Sequence, residues 1–239
     1  MVDLHTHILP YIDDGSSSYE ETISMLKLME NQGVQTVVAT PHFDLSAQDI
    51  NEFIEKRNES LEITKRHIKE NDINIKLLSG CELMFTPQLA HIDLDPFTIE
   101  NTDYVLIELS TRYDDPSVSH TLEAILAKGF IPILAHVERY SYLINNSKRL
   151  VDLINRGILT QVNASSIAND NYPFMNAMMK HSLVHLIASD AHNMSNRRPN
   201  INRDMVTDNI YQNMDKVINN ELLSVDNPTK LIAILNRYF

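Results

Sequence analysis

The chain has 239 residues, of which 43% are hydrophobic and 22% charged, and its formal net charge is −12. This ordinary globular composition supports one large core, and the acidity argues against nucleic-acid binding because negative surfaces repel phosphates. No apolar run reaches the roughly 18 residues that cross a membrane, and no signal peptide opens the chain, so we expect a cytoplasmic protein without direct membrane insertion.

Short β-branched, apolar runs alternate along the chain with longer amphipathic stretches. The predicted strands are Val2–His5, Thr36–Thr40, Ile73–Leu78, Tyr104–Leu109, Phe130–Ala135, Leu159–Val162 and Val184–Ser189. The predicted helices are Tyr19–Gln32, Ala47–Glu70, Val118–Lys128, Ser147–Arg156, Phe174–His181, Arg203–Asn219 and Pro228–Tyr238. Such alternation indicates a parallel α/β sheet, and seven or eight units commonly close into a barrel. An open doubly wound sheet is the alternative, and we expect residues 1–239 to form a single domain.

The first predicted helix carries its own start and stop signals. Ser18 and Glu21 have the spacing of a capping box, in which each side chain bonds the other residue's backbone N–H. Apolar residues then recur at helical spacing within Ile23–Met29. Gly33 provides the stop, since glycine tolerates a left-handed turn.

Potential metal ligands stand at the carboxyl ends of six predicted strands. They are His5, His7, His42, Glu82, Glu108, His136, Asp190 and His192. In a parallel barrel these ends converge on one face, where barrel enzymes keep their active sites. Burying so many ionisable groups is costly unless a cation compensates them, so the pattern predicts a metal-dependent hydrolase. A solvated polar rim without metal is the alternative.

Two ligand pairs share a spacing of two residues. His5 and His7 project to the same face of a strand, and Asp190 and His192 repeat the spacing. Imidazole and carboxylate ligands without thiolates suit manganese, iron or zinc. Between His7 and the first helix, the sequence Asp13-Asp14-Gly15 predicts a tight turn that aims a carboxylate at the site, with an ordinary surface turn as the alternative.

Arginines accompany two of the ligand motifs. Arg139 follows His136 by three residues, and Arg197 and Arg198 follow His192 closely. The planar guanidinium matches two oxygens of a phosphate, which favours an oxyanion substrate. The alternative at both sites is a salt bridge to a nearby acid.

The single cysteine is not placed for nucleophilic catalysis. A cysteine phosphatase needs Cys-x5-Arg, but after Cys81 and the five residues that follow it, the position of the arginine is occupied by Pro87. We therefore expect Cys81 to be a small buried residue. The histidines outside the ligand motifs are expected to lie on the surface or to pack internally; they are His67, His91, His120, His181 and His185.

These motifs, taken together, resemble the PHP (polymerase and histidinol phosphatase) superfamily. Within it, the sequence is similar to the CpsB/YwqE-type tyrosine-protein phosphatases of bacterial capsule and exopolysaccharide operons. The segments that carry the resemblance are Asp3–His7, Ile8–Pro10, Asp13–Gly15, Ala39–His42, Ala135–Tyr140, Ala188–Asn193 and Asp226–Pro228. The resemblance implies a distorted seven-stranded, TIM-like β/α barrel of the PHP type and three divalent metal ions, most often manganese.

The resemblance also implies a role for each site residue. One ion would be held by His5, His7, Glu82 and Asp190, a second by Glu82, Glu108 and His136, and a third by Asp14, His42 and His192. Arg139 and Arg197 match the phosphate-binding arginines, although Arg198 adjoins the second. The implied partner is the phosphotyrosine tail of an autophosphorylating bacterial tyrosine kinase.

Two other functions stay open at this point. One is another PHP phosphoesterase acting on histidinol phosphate or a nucleotide phosphodiester, and the other is a non-catalytic, metal-bound regulatory module. The loop Ser110–His120 and the segment after His42 match no motif, and we expect them to shape substrate access. The oligomeric state does not follow from the sequence.

Overall fold

The computed structural model describes residues 1–167 and 173–221. Within them the strands are β1 Val2–Thr6, β2 Thr36–Ala39, β3 His42–Phe43, β4 Lys76–Ser79, β5 Glu82–Met84, β6 Tyr104–Glu108, β7 Ile131–Leu134, β8 Leu159–Asn163 and β9 Leu186–Ala188. The helices are α1 Tyr19–Asn31, α2 Ile50–Glu70, α3 Val118–Ala127, α4 Ser141–Ile144, α5 Ser147–Asn155, α6 Ala164–Ile167, α7 Pro173–Lys180 and α8 Asp208–Ile218. The predicted helix Pro228–Tyr238 and the motif Asp226–Pro228 lie outside the described residues.

All strand pairs in the described part of the chain are parallel. One sheet has the order β1-β2-β4 and the other the order β3-β5-β6-β7-β8-β9. The same two segments of the chain contribute to both sheets. β2 pairs with β4 in the first sheet, and their continuations β3 and β5 pair with each other in the second. After a break of two residues, β2 and β4 are each followed by a further short strand that the sequence did not predict, β3 and β5.

The interruptions lie at Thr40–Pro41 and Gly80–Cys81. Proline has no backbone N–H to give to a ladder, and the Pro41 carbonyl instead accepts a hydrogen bond from the Glu82 amide at 3.0 Å. A Cβ at Gly80 would lie 2.9 Å from Cγ1 of Val38, so only glycine fits this close approach without a shift. After the interruption, the chain continues as β3 and β5, which pair with each other and place His42 directly opposite Glu82.

The first strand also meets the segment that follows β9. Thr6 and Ala191 form a parallel bridge, the Asp190 amide donates to the His5 carbonyl at 3.0 Å, and the His7 amide donates to the Ala191 carbonyl at 2.8 Å. The fold is thus an α/β fold with a curled parallel sheet, which confirms the predicted class. The closed seven-stranded barrel stays a prediction.

The sheet is covered by helices, so its strands are buried on both faces. Helix α2 packs against β4, α3 against β7, and α8 against both β1 and β9. All five residues of β1 are buried, including Asp3 and His5. Polar residues buried on a strand need partners, and the alternation along β1 points Asp3, His5 and His7 toward one face.

Some helix ends differ from the prediction. The predicted helix Arg203–Asn219 begins at Asp208, where the Thr207 side chain accepts from the Ile210 amide, and Arg203–Met205 forms a separate 3-10 turn. The capping box is only half formed. Ser18 accepts from the Glu21 amide, but the Glu21 carboxylate accepts from the Ser17 amide at 2.9 Å rather than from Ser18. Over the described ranges, no helix is both long enough and apolar enough to traverse a bilayer.

Candidate metal centre

His5 on β1 and His7 just beyond its end point their Nε2 atoms at the same place. These atoms are 3.2 Å apart, and both rings are fully buried. Each Nε2 lies 3.1 Å from Oε2 of Glu82. The same atoms lie 3.5 and 3.6 Å from Oδ1 of Asp190. The spacing of two residues at the end of β1 therefore brings both imidazoles to one pair of carboxylates.

Glu82 stands at the middle of the cluster. Besides the two histidines at the end of the first strand, its Oε2 lies 3.0 Å from Nδ1 of His42, and its Oε1 lies 3.0 Å from Nε2 of His136. Glu108 approaches the same two rings, at 3.8 Å from His42 and 3.5 Å from His136. Four strand ends thus meet at one buried carboxylate.

A third set of ligand atoms lies on the open side of the cluster. Oδ1 of Asp14 is 3.6 Å from Nε2 of His42 and 3.5 Å from Nε2 of His192. The Asp14 side chain is 65% exposed and that of His42 is 32% exposed, whereas His192 is buried. The site therefore opens to solvent along this edge.

The cluster contains buried polar atoms without hydrogen-bond partners. Four of them are Oε2 of Glu82, Oδ1 of Asp190, Nε2 of His192 and Nδ1 of His42. A buried polar atom left in this way costs about 1–3 kcal/mol. All four face the cluster at distances of 3.0–3.6 Å from other potential ligands. Divalent cations would supply the missing partner for each, so the residues present fit a metal site.

Three sets of side chains in the described ranges have ligand atoms within 4.8 Å of one another. They are His7, Asp14, His42 and His192; His5, His7 and Asp190; and His42, Glu82 and Glu108. These sets include eight of the nine predicted ligands, and the ninth, His136, contacts Glu82. The division of the ligands among three ions stays a prediction.

Burial and neighbouring charges shift the pKa values of the carboxylates and imidazoles in the cluster. Burial alone would raise the pKa of Glu82, but the charges of His5, His136 and His7 hold it well below its usual range. Burial would lower the pKa of His7, but its contacts with Asp13 and Glu82 raise it to about 10. Burial, together with the positive charges of His7 and Arg197, lowers the pKa of His192 to about 3. Bound cations would replace the protons, because metal ligands must be deprotonated.

Asp13 belongs to the site, although the family resemblance implied a role only for Asp14. Its Oδ2 lies 2.6 Å from Nδ1 of His7 and accepts from the His42 amide at 2.9 Å. Its Oδ1 accepts from the Gly15 amide at 2.9 Å. The turn therefore places two carboxylates, with Asp14 on the open edge and Asp13 behind His7. A carboxylate on the far nitrogen fixes the tautomer of a ligating histidine.

Strand β8 contributes two amide side chains that sequence reasoning missed. Oε1 of Gln161 lies 3.1 Å from Nδ1 of His5 and accepts from the His136 amide at 2.8 Å. Nε2 of Gln161 donates to Asn163, which in turn donates to Oδ2 of Asp190 at 2.8 Å. The only sequence signal was two amides spaced two apart at the end of a predicted strand.

Two of the predicted ligands have left-handed backbones. His136 has φ 29° and Asp190 has φ 53°. This region is unfavourable for residues with a Cβ, by about 1–2 kcal/mol. Strain of this kind persists where the surroundings fix it, as at functional sites. The surroundings here include the Gln161 side chain, which binds the His136 amide, and the His5 carbonyl, which binds the Asp190 amide.

Both predicted arginines border a cavity of about 470 Å³ at the open side of the cluster. Nη1 of Arg139 is 3.7 Å and Nη2 of Arg197 is 2.6 Å from Oδ2 of Asp190. The predicted alternative of a salt bridge to an acid is thus also present. The lining residues of this cavity include Arg139 and Arg197, whereas Arg198 lines a different cavity. Arg197 is therefore the better placed of the adjacent pair.

Cys81 is buried, as predicted, and its Sγ donates to the Pro41 carbonyl at 3.3 Å. Burial raises the pKa of its thiol well above the usual value. The thiolate form that a nucleophile needs is accordingly disfavoured.

The curled parallel fold and the carboxylate–histidine cluster at its strand ends define the class of this protein as a metal-dependent hydrolase. The family model for capsular polysaccharide synthesis, CpsB/CapC, matches residues 1–233. The chain belongs to this CpsB/CapC family.

Two curated relatives are similar in sequence to this protein over most of its length. The tyrosine-protein phosphatase CpsB of Streptococcus pneumoniae is 32% identical over 245 residues, which cover 97% of this chain and 98% of that protein. The tyrosine-protein phosphatase YwqE of Bacillus subtilis is 31% identical, over 82% of this chain and 79% of that protein. Crystal structures of YwqE and of Streptococcus pneumoniae CpsB, described as unique metal-dependent tyrosine phosphatases, include a chain with TM-score 0.84 and 25% identity that covers 94% of this chain and 96% of its own.

Proposed function

We propose that this protein is a metal-dependent protein-tyrosine phosphatase that hydrolyses phosphotyrosine without a covalent enzyme intermediate. The observation that carries the proposal is the convergence of eight potential ligands around a ninth, Glu82, with buried ligand atoms that lack hydrogen-bond partners. The phosphatase names of its relatives support the same activity.

The proposed cofactors are three manganese ions, and iron and zinc also suit the donor set. The proposed ligands are His5, His7, Asp14, His42, Glu82, Glu108, His136, Asp190 and His192. When bound, such ions lower the pKa of a coordinated water to about 7 and neutralise phosphate charge.

The protein's own residues would bind and orient the substrate. Arg139 and Arg197 border the cavity, where their guanidinium groups would pair with phosphate oxygens. Asp190 holds Arg197 in place by the contact at 2.6 Å. Tyrosine's phenol has a pKa of about 10, so the leaving group has little need of a strong general acid.

The open edge of the site favours a polypeptide substrate over an enclosed small molecule. The Asp14, Arg139 and Arg197 side chains at this edge are 65%, 45% and 36% exposed. The proposed substrate is the phosphotyrosine tail of a bacterial tyrosine kinase that controls capsular or exopolysaccharide synthesis, in the cytoplasm. The bridge between Thr6 and Ala191 supports a closed seven-stranded barrel, and we propose that residues 1–239 form this one domain.

The experiment is a metal titration of chelated apo-protein with Mn, Fe, Zn, Mg and Co. A phosphotyrosine peptide, histidinol phosphate and single-stranded DNA serve as alternative substrates. We expect activity to return with the metal and to be highest on the phosphotyrosine peptide. Preference for histidinol phosphate or DNA would indicate another phosphoesterase, and metal binding without turnover of any substrate would indicate a regulatory module.

A further inference from the structure

A groove of about 580 Å³ adjoins the cavity at the metal centre. Met84 and Glu108 line both spaces, so the groove and the cavity lie side by side. Much of the groove wall comes from two segments without any recognised motif, the residues just after His42 and the loop that begins at Ser110. A substrate held at the arginines would extend directly along this wall.

The groove wall is fixed from behind by hydrogen bonds. The Tyr142 hydroxyl donates to the Ser110 carbonyl at 2.7 Å, and Arg149 donates to the Asp115 carbonyl at 3.1 Å. On the opposite side the Phe85 amide donates to the Glu108 carbonyl at 2.8 Å. Because these contacts hold both sides, the groove is formed before any substrate arrives and binding would not have to order it.

The groove exposes apolar side chains to solvent. The described part of the chain has three exposed large hydrophobic residues, and two of them, Met84 and Tyr113, line the groove at 38% and 63% exposure. Phe85 lies beside Met84 in the same wall. Exposed apolar surface gathered in a groove marks a binding site for apolar groups.

The charges of the groove select against acidic groups. Asp44 and Asp115 both line it, against one arginine, Arg112. Each aspartate uses Oδ1 to accept a backbone amide of its own turn, from Ser46 and Ser117 respectively, both at 2.8 Å. Their positions are therefore fixed, and their negative charge would repel an acidic neighbour in the substrate.

We propose that this groove binds the polypeptide segment next to the phosphotyrosine, with an aliphatic or aromatic side chain against Met84, Phe85 and Tyr113. Acidic side chains in that segment are disfavoured by Asp44 and Asp115. This proposal rests on the proposed function, and it names the sequence preference of that same site.

The test compares phosphotyrosine peptides that differ only in the flanking residues, which are leucine, alanine or aspartate. The wild-type protein should favour leucine over aspartate flanks in kcat/KM. Thr111→Trp, at an exposed lining position, should lower kcat/KM for the leucine peptide about tenfold while leaving p-nitrophenyl phosphate within about twofold. Asp44→Asn combined with Asp115→Asn keeps both turn acceptors and should raise kcat/KM for the aspartate peptide about two- to fivefold.

Gln212→Trp, at an exposed position on α8, is the matched control and should change neither substrate. If Thr111→Trp reduces turnover of p-nitrophenyl phosphate as much as that of the peptide, the groove has no separate role and the proposal is overturned. Equal rates for leucine and aspartate flanks would overturn it as well, with the phosphatase activity intact. A wild-type protein that turns over p-nitrophenyl phosphate but no phosphotyrosine peptide would overturn the proposed function itself and the groove proposal with it.

Discussion

Nδ1 of His7 lies 2.6 Å from Oδ2 of Asp13, inside a turn that the sequence marks only by two acids and a glycine. The carboxylate orients the imidazole so that its other nitrogen faces Glu82. The turn that carries Asp13 is closed by the Gly15 amide. The geometry of the metal centre thus depends on a tight turn in which position 15 has no room for a side chain.

Substituting Gly15 tests this dependence. A Cβ at this position would lie 2.2 Å from the His7 carbonyl oxygen and 2.5 Å from the His7 Cβ, so Gly15→Ala must shift the turn. We expect manganese affinity, measured by calorimetry, to fall about tenfold or more, and the free energy of unfolding to fall by about 1–3 kcal/mol. Gly129→Ala is the control, because Gly129 has φ +96° but no atom near the added Cβ. It should lose about 1 kcal/mol of stability and no affinity. Unchanged affinity in Gly15→Ala would contradict the dependence.

Gln161 is predicted to position the metal ligands. Gln161→Met keeps the length of the side chain but removes the acceptor for His5 and for the His136 amide. We expect manganese affinity of the purified protein to fall about ten- to a hundredfold, as for other partners of ligating histidines. Gln212→Met on α8 should have no effect. A folded Gln161→Met protein that binds manganese normally would show that the amide has only a packing role.

The adjacent arginines should behave differently. Arg197→Lys keeps the charge but loses the two-pronged guanidinium at the cavity. We expect KM for p-nitrophenyl phosphate and the inhibition constant of inorganic phosphate to rise about tenfold, because hydrogen bonds to charged groups contribute about 1.5–3 kcal/mol. Arg198→Lys should leave both constants unchanged, since Arg198 does not line the cavity at the metal centre. The opposite pattern would reassign the phosphate contact to Arg198.

The route of hydrolysis can be tested at His136 and Cys81. His136→Ala removes a predicted ligand that contacts Glu82 at 3.0 Å, and activity on p-nitrophenyl phosphate should fall at least about a hundredfold. Treatment with a chelator should abolish the same activity. Cys81→Ser keeps a donor for the Pro41 carbonyl and should leave activity largely intact. Loss of activity in the serine variant, with the metal retained, would point to a thiol mechanism.

His185 predicts a pH dependence of stability. It is buried, and burial lowers its pKa from 6.5 to about 4. The unfolded chain therefore binds more protons than the folded protein between these pH values. The free energy of unfolding should fall as pH decreases through this window, by about 3 kcal/mol at most from this residue. Denaturant unfolding of the chelated protein across the window measures this slope.

His185→Gln should reduce that slope, and His67→Gln, at a partly exposed histidine on α2, should not. The same slope in all three proteins would show that another group causes the acid sensitivity.

Sequence periodicity predicted the parallel α/β fold because the strands are short buried runs between amphipathic helices. It also placed the ionisable ligands, since residues such as His42 and Glu82 directly follow apolar runs. The interruptions at Thr40–Pro41 and Gly80–Cys81 were missed, because a proline or glycine at a strand end looks the same as the end of the strand. The second strands that follow, β3 and β5, have only two and three residues.

The partners of the ligands were harder to predict than the ligands. Gln161 and Asn163 are neutral, so a search for ionisable residues passes over them. Asp13 and Asp14 are equivalent in sequence, and only the path of the turn separates the buried carboxylate from the exposed one. The number of metal ions and the single domain stay predictions.

The bridge between Thr6 and Ala191 has a consequence for how the protein is made. His5 and His7 are translated first, but Asp190 and His192 only about 185 residues later. Until that segment is synthesised, His5 and His7 lack the Asp190 carboxylate. The pairing of β1 with the segment around Ala191 also joins residues that are very far apart in the sequence. Such contacts form late and slowly. We expect metal loading to follow translation of residue 192, so that a ribosome-bound fragment ending before β9 would not acquire the complete centre.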